Sequence, residues 1–105
     1  MSEKRKPTYN LEAIKAKFGN VENLNLTGTA LKTAFELGFD RQAIVDTIQK
    51  IERVHFNKSM TSYANSRVWQ DVYNVPHEET SLYVKFTSDA VTEFKLLSFK
   101  EDTND

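Results

Sequence analysis

The first apolar stripe of the chain has the spacing of an amphipathic helix. Leu11, Ile14 and Phe18 follow one another at intervals of three and four residues. Asn10 precedes the stripe and can cap free backbone N–H groups, while Gly19 follows its last apolar position. The pattern predicts a short helix that begins after Asn10 and ends near Gly19.

Two more apolar stripes predict a second and a third helix. Either Thr27 or Thr29 can cap the second helix, which is expected to stop at Gly38. Asp40 is a favourable cap for the third helix, which follows at once. The stripes consist of Ala30, Leu31, Ala34, Phe35 and Leu37 in the second helix, and of Ile44, Val45, Ile48 and Ile51 in the third.

The pattern becomes alternating after Arg53, and β-branched and aromatic residues become more frequent. Three strands are expected, joined by connections short enough for antiparallel hairpins. Helices followed by antiparallel strands predict an α+β fold, in which N-terminal helices pack on one face of a C-terminal sheet. The other face is expected to be partly open. The expected strands are 67–73, 81–87 and 94–100, and the expected connections are 74–80 and 88–93.

Alternation along the last two strands separates a core face from a polar face. If Tyr83 pairs with Lys100, Lys85 falls opposite Ser98, and the apolar residues also pair among themselves. One register therefore satisfies both faces. The expected core residues are Val84, Phe86, Leu97 and Phe99, and the expected polar residues are Tyr83, Lys85, Ser98 and Lys100.

The polar face combines a phenol with ammonium groups. Cations near Tyr83 would favour its phenolate form and could also hold a phosphate group. Half-exposed sheets often carry such residues without a function, so a merely solvated face is the alternative.

Length and composition indicate one soluble domain that spans 1–105, with flexible tails expected at 1–8 and 101–105. The formal net charge of −1 gives no support to nucleic-acid binding, although Lys4, Arg5 and Lys6 allow a local basic surface. The start of the chain shows no secretory signal, and the sequence contains no cysteine. A cytoplasmic protein is therefore expected.

No metal or cofactor motif is found in the sequence. His55 and His77 are the only histidines, and their spacing matches no metal-binding motif. Glu78 and Glu79 follow His77 in a stretch, 76–80, that is expected to be a surface loop. His55 is expected to be a structural residue or an RNA contact.

Four short motifs, in order along the chain, make this sequence resemble the MqsR family of bacterial toxins. They cover much of the chain, although the resemblance is weaker in the last hairpin. The motifs are Glu36-Leu37-Gly38, Phe56-Asn57-Lys58-Ser59-Met60-Thr61-Ser62-Tyr63, Val68-Trp69-Gln70-Asp71-Val72-Tyr73 and Ser98-Phe99-Lys100-Glu101.

The resemblance implies a RelE-like ribonuclease fold and a toxin of a type II toxin-antitoxin system. Members of the family are mRNA interferases, which cut free messenger RNA at GCU-like triplets and arrest growth. Their neutralising partner is a zinc-containing, DNA-binding antitoxin, MqsA.

The resemblance also implies the site. The positions of catalytic importance fall on Lys58, Gln70, Tyr83 and Lys100. Alternation had already placed Tyr83 and Lys100 together. The expected further RNA contacts are Lys85, Tyr63, Arg67 and His55.

Such a site would promote attack of a ribose 2′-OH on the adjacent phosphate without a metal ion. Lys58 and Lys100 would hold the phosphate, and Tyr83 would take part in proton transfer. Gln70 would orient the RNA, provided that paired residue numbers in the strands 67–73 and 81–87 add to an odd value.

Two other functions are compatible with the sequence. The first is a module of the same fold that binds RNA or protein without cutting, and the second is a purely structural interaction protein. An antitoxin could cover the open sheet face or bind another side.

Overall fold

Within residues 1–102, the part of the chain that the structure describes, three α-helices lie on one face of a five-stranded antiparallel sheet. The structure is a computed structural model. Each strand pairs with the next in sequence, and all three α-helices lie in the connection between the first two strands. The α+β prediction is confirmed, and the likeness to RelE stays a prediction. The elements are β1 (Glu3–Lys4), α1 (Leu11–Lys17), α2 (Gly28–Glu36), α3 (Arg41–Gln49), β2 (Phe56–Met60), β3 (Gln70–His77), β4 (Thr80–Asp89) and β5 (Glu93–Glu101).

The helix caps follow the predictions. Asn10, Thr27 and Asp40 each accept a hydrogen bond from the backbone N–H three residues further on, at 2.9, 3.0 and 2.8 Å. Thr27 is therefore the cap of α2, and Thr29 is not. Gly38 follows α2 with φ of 90°, a conformation that glycine adopts without strain. No helix in the described part of the chain is long and apolar enough to cross a membrane.

The core lies between the helices and one face of the sheet. Ile44, Val45, Ile48 and Ile51 are buried as predicted. The prediction for α2 was wrong in part, because the helix packs closely through its small residues and turns two large ones outward. Ala30 and Ala34 are fully buried, whereas Phe35 is 52% and Leu37 38% exposed.

The middle of the sheet differs from the prediction. β3 begins at Gln70, three residues later than expected, and continues to His77. The stretch 76–80 is consequently not a loop, since a turn at Glu78 and Glu79 joins β3 directly to β4. Glu78 occupies the left-handed region there, with φ of 55°. The sequence prediction did not include β1 and β2, because both strands are too short to show a clear alternation of apolar and polar residues.

The hairpin of β4 and β5 has the predicted register, with Tyr83 paired to Lys100 and Lys85 to Ser98. A β-bulge follows, because Phe86 pairs with Leu96 and leaves Leu97 unpaired. Leu96 is consequently the fully buried core residue, and the prediction of Leu97 at that place was wrong.

The N-terminal stretch, expected to be a flexible tail, is attached to the sheet at two places. Glu3–Lys4 pairs with β2 as an edge strand. Further on, the backbone N–H groups of Thr8 and Tyr9 donate to the carboxylate of Asp71, which is fully buried on the helix side.

At the C-terminus, the expected tail at 101–105 begins as part of the sheet. Glu101 is the last residue of β5, and the Asp102 N–H donates to the carbonyl of Ser81 at 2.8 Å. Residues 103–105 lie outside the described part of the chain.

Phe99 provides a test of the core. Its ring is fully buried against Phe39, with ring centroids 5.1 Å apart. We expect Phe99→Ala to lower the free energy of unfolding by about 3–5 kcal/mol, because it opens a cavity. Urea denaturation followed by circular dichroism measures this. Val91→Ala, at a residue that is 91% exposed, should change it by less than about 0.5 kcal/mol. Equal effects of the two substitutions would contradict the assignment of the core.

Candidate active site

The sheet face opposite the helices carries two adjacent rows of paired residues. Two lysines flank a fully buried valine in the first row, so their aliphatic stems cover an apolar strip. The lysine row consists of Lys58, Val72, Lys85 and Ser98 across β2 to β5. The tyrosine row consists of Asn74, Tyr83 and Lys100 across β3 to β5.

An open cleft of about 320 Å³ lies over the tyrosine row and one end of the lysine row. It brings together three predicted catalytic residues, Lys58, Tyr83 and Lys100, which come from three different strands. The cleft is lined by Asn57, Lys58, Asn74, Tyr83, Lys100, Glu101 and Asp102.

Three ammonium groups surround the Tyr83 phenol. The Nζ atom of Lys100 lies 5.2 Å from the centre of the Tyr83 ring, and that of Lys85 lies 6.0 Å from it. The charge of Lys58 is close enough to act on the ionisation of both Tyr83 and Lys85. The cleft therefore places lysine ammonium groups where a phosphate group can enter, with the carboxylates of Glu101 and Asp102 also in its lining.

The pKa of Tyr83 is raised, chiefly because burial disfavours the phenolate. Lys58 lowers the pKa in part, and Asp102 raises it. The expected effect of a cation on the phenolate is present for Lys58, but burial outweighs it. At neutral pH Tyr83 carries its proton and is available as a donor.

The pKa of Lys85 moves in the opposite direction. Burial lowers it first, and the charges of Lys100 and Lys58 lower it further. All three causes disfavour the ammonium form, so the neutral amine is more accessible here than in an ordinary lysine. A phenol that keeps its proton thus stands beside an amine that releases one more readily.

Gln70 lies on the same face but outside the cleft. It pairs with Thr87, so paired numbers between β3 and β4 add to an odd value, and the condition for this placement is met. A strand rises about 3.3 Å per residue, so Gln70 is about 13 Å from Asn74, which lies four residues further along β3 in the tyrosine row. Gln70 can contact a neighbouring part of a long substrate, but not the group that Tyr83 contacts.

The remaining predicted RNA contacts lie in different places. Tyr63, which is 88% exposed, and the exposed Arg67 are in the connection between Met60 and Gln70, at one end of β2. His55 immediately precedes the other end of β2, in a short 3-10 turn, where its Nδ1 accepts a hydrogen bond from the backbone of Glu52 at 2.9 Å. Of the four, only Lys85 is beside the cleft.

Sequence reasoning missed two asparagines and two acidic residues of the cleft. Asn74 donates from its side chain to a carboxylate oxygen of Asp102 at 2.8 Å, which links β3 to the end of β5. Alternation was a usable signal for Asn74, because Gln70 and Asn74 are four residues apart on one strand. Asn57 had no such signal, since a bulge in β2 precedes Lys58.

The histidine and acidic residues form no metal-binding cluster of three or more within residues 1–102. His77 packs against the ring of Phe39, with centroids 4.8 Å apart, at the end of β3. Its position is therefore accounted for by packing.

Comparisons with known proteins agree with the resemblance seen in the motifs. A family described as "Motility quorum-sensing regulator, toxin of MqsA" matches residues 6–101. The mRNA interferase toxin MqsR of Escherichia coli (strain K12) is 35% identical to the chain over 99 residues, which covers 94% of the chain and 98% of that relative. The chain belongs to the MqsR toxin family.

Proposed function

We propose that the protein is a toxin that arrests growth by cutting messenger RNA, and that the cleft at Tyr83 is its active site. The observation that carries the proposal is the group of three lysines around a protonated phenol, on the open face of the sheet. Such a group can bind a phosphodiester and move protons at it. The MqsR relative is named as an mRNA interferase.

Lys58 and Lys100 bind the scissile phosphate in this proposal. Both line the cleft from opposite sides, one on β2 and the other on β5. As the 2′-oxygen attacks, negative charge accumulates on the phosphate oxygens, and the two cations stabilise that charge more than they stabilise the ground state. Lysine ammonium groups supply this stabilisation without a metal ion or a cofactor.

Lys85 acts as the general base of the reaction, and Tyr83 acts as the general acid. The fraction of Lys85 that has lost its proton accepts the proton of the 2′-OH while the 2′-oxygen bonds to phosphorus. The P–O5′ bond breaks, and Tyr83 gives its proton to the leaving 5′-oxygen. The products are a 2′,3′-cyclic phosphate and a 5′-OH, and solvent restores both residues. The opposite directions of the two pKa shifts support this division of roles.

The RNA chain continues from the cleft along the polar face towards Gln70. Gln70 has both donors and acceptors to orient a nucleotide there, and the exposed ring of Tyr63 can stack on an unpaired base. Arg67 lies in the same connection and can contact a phosphate. His55 remains a proposed contact at the far end of β2. The preference for GCU-like triplets is part of this proposal.

The partner in this proposal is an MqsA-like antitoxin. Its basis is the description of the matched family, which is named as the toxin of MqsA. The compartment is the cytoplasm, where messenger RNA and the antitoxin meet.

The first test is cleavage of a long defined mRNA, without ribosomes, by EDTA-treated protein. We expect discrete cuts that end in 2′,3′-cyclic phosphates, and mapping of the ends gives the preferred triplet. Lys58→Ala and Tyr83→Ala should each lower kcat/KM by about 10²–10³-fold, because each removes transition-state stabilisation. Lys32→Ala on α2 is the matched control and should be unchanged.

Two results would contradict the proposal. If folded, antitoxin-free wild type binds this RNA without cutting it, the protein either cuts only on the ribosome or is a non-cutting RNA-binding module. If the alanine variants at Lys58 and Tyr83 cut as fast as wild type, the cleft is not the active site.

Lys85→Arg separates proton transfer from simple charge. Arginine keeps the positive charge but does not deprotonate in proteins, so it cannot accept the 2′-OH proton. We expect kcat to fall by about 10²–10⁴-fold, as for loss of a general base. Steady-state kinetics on a short RNA measure it. Activity near that of wild type would show that Lys85 contributes only its charge.

The ionisation of Tyr83 can be measured by NMR with ¹³Cζ-labelled tyrosine. We expect Tyr83 to titrate above its ordinary pKa, and Tyr73, which is buried near Asp71, to titrate at about 12. Because the charge of Lys58 favours the phenolate, Lys58→Met should raise the pKa of Tyr83 further. Tyr83→Phe identifies the signal. A Tyr83 pKa at or below the ordinary value would rule out its role as a neutral donor.

A further inference from the structure

An acidic residue from the N-terminal strand makes direct contact with the active-site lysine of β2. The Nζ atom of Lys58 lies 3.0 Å from Oε1 of Glu3, although the two residues are 55 positions apart in sequence. In the register of β1 and β2, Glu3 pairs with Met60, which puts both Glu3 and Lys58 on the polar face.

The contact is held by fixed backbone on both sides of Glu3. Before it, Ser2 and Thr61 exchange two hydrogen bonds, since the Thr61 N–H donates to the Ser2 carbonyl at 2.9 Å and the Ser2 N–H donates to Thr61 Oγ1 at 2.8 Å. After it, the segment is bound to Asp71 through the N–H groups of Thr8 and Tyr9.

The same segment also holds the β2 backbone next to Lys58. Arg5 donates from its guanidinium to the carbonyl of Asn57, the bulged residue, at 3.4 Å. Thr8 and Ser59 share a hydrogen bond of 2.7 Å between their hydroxyl groups. The residues immediately before and after Lys58 are thus both bound by the N-terminal segment.

The lysine itself needs such a restraint. A lysine side chain has four rotatable bonds, and fixing it costs conformational entropy. Lys58 also shares the site with Lys85, and the positive charges of the two side chains repel each other. A carboxylate 3.0 Å away restrains the ammonium and offsets this repulsion. The side chain of Lys58 keeps 29% of its exposure, so the ammonium remains accessible to a phosphate.

We propose that Glu3 is a positioning residue for RNA cleavage, which acts by holding Lys58 at the edge of the cleft. This inference rests on the function proposed above. Glu3 does not line the cleft, so it does not contact the reacting phosphate itself. It makes the N-terminal strand a part of the active site.

The test is the steady-state kinetics of variants with any purification tag at the C-terminus. We expect Glu3→Ala to lower kcat about tenfold, the effect of one lost charge-assisted hydrogen bond. Its KM should change little or fall, because removal of a negative charge favours RNA binding. Glu3→Gln keeps an acceptor oxygen and should recover part of kcat. Thermal melts of both variants show whether the fold is intact, and Glu3→Gln decides the question if Glu3→Ala unfolds.

Two controls show whether the effect passes through Lys58. Adding Glu3→Ala to Lys58→Ala should cause no further loss of kcat. Glu36→Gln at the exposed end of α2 removes an equal charge from the other side of the sheet and should leave kcat unchanged.

Each other outcome is decisive. A lower KM with undiminished kcat in Glu3→Ala would mean that Glu3 competes with the phosphate. Wild-type kinetics in Glu3→Ala would mean that the contact is only structural. Either result overturns the inference. If wild type does not cleave RNA, the proposed function fails and this inference fails with it. If wild type cleaves and Glu3→Ala keeps its kcat, the inference alone fails.

Discussion

Burial of one face of the sheet beneath the helices is the constraint on which the proposed active-site cleft depends. Val84, Phe86 and Phe99 are fully buried on that face. Because side chains alternate between the two faces, a shift of the strand register by one residue would expose these groups. It would also force Tyr83 and Lys85 into the core, at a cost of several kcal/mol. Packing on one side therefore fixes the position of every charged group on the other.

The electrostatics of the cleft follow from partial burial combined with crowding of like charges. Desolvation raises the pKa of Tyr83 and lowers that of Lys85. Lys58 weakens the effect on Tyr83, whereas Lys100 and Lys58 strengthen the effect on Lys85. The proposed phosphate binding and proton transfer therefore come from one arrangement. In a more exposed site with the same residues, the pKa values of the phenol and the amine would shift less in opposite directions.

Asp71 connects the two faces of the sheet. Its buried carboxylate accepts backbone hydrogen bonds from the N-terminal segment on the helix side, and the same segment delivers Glu3 to Lys58 on the polar side. The Asp71 side chain is satisfied by these N–H groups, which explains how a charged residue is tolerated at full burial. Stability of the N-terminal segment and geometry of the cleft are thereby coupled.

The sequence by itself determined the three helices, the caps of the first and the third, the α+β class and the pairing of Tyr83 with Lys100. Its motifs also pointed to Lys58 and Gln70, but not to how far apart they lie. These features depend on local rules, namely helical spacing, capping and strand alternation. Only the tertiary structure decided the bulge that buries Leu96, the approach of Glu3 to Lys58 and the raised pKa of Tyr83. Each of these depends on contacts between distant segments or on exclusion of water, and no local pattern in the chain encodes either one.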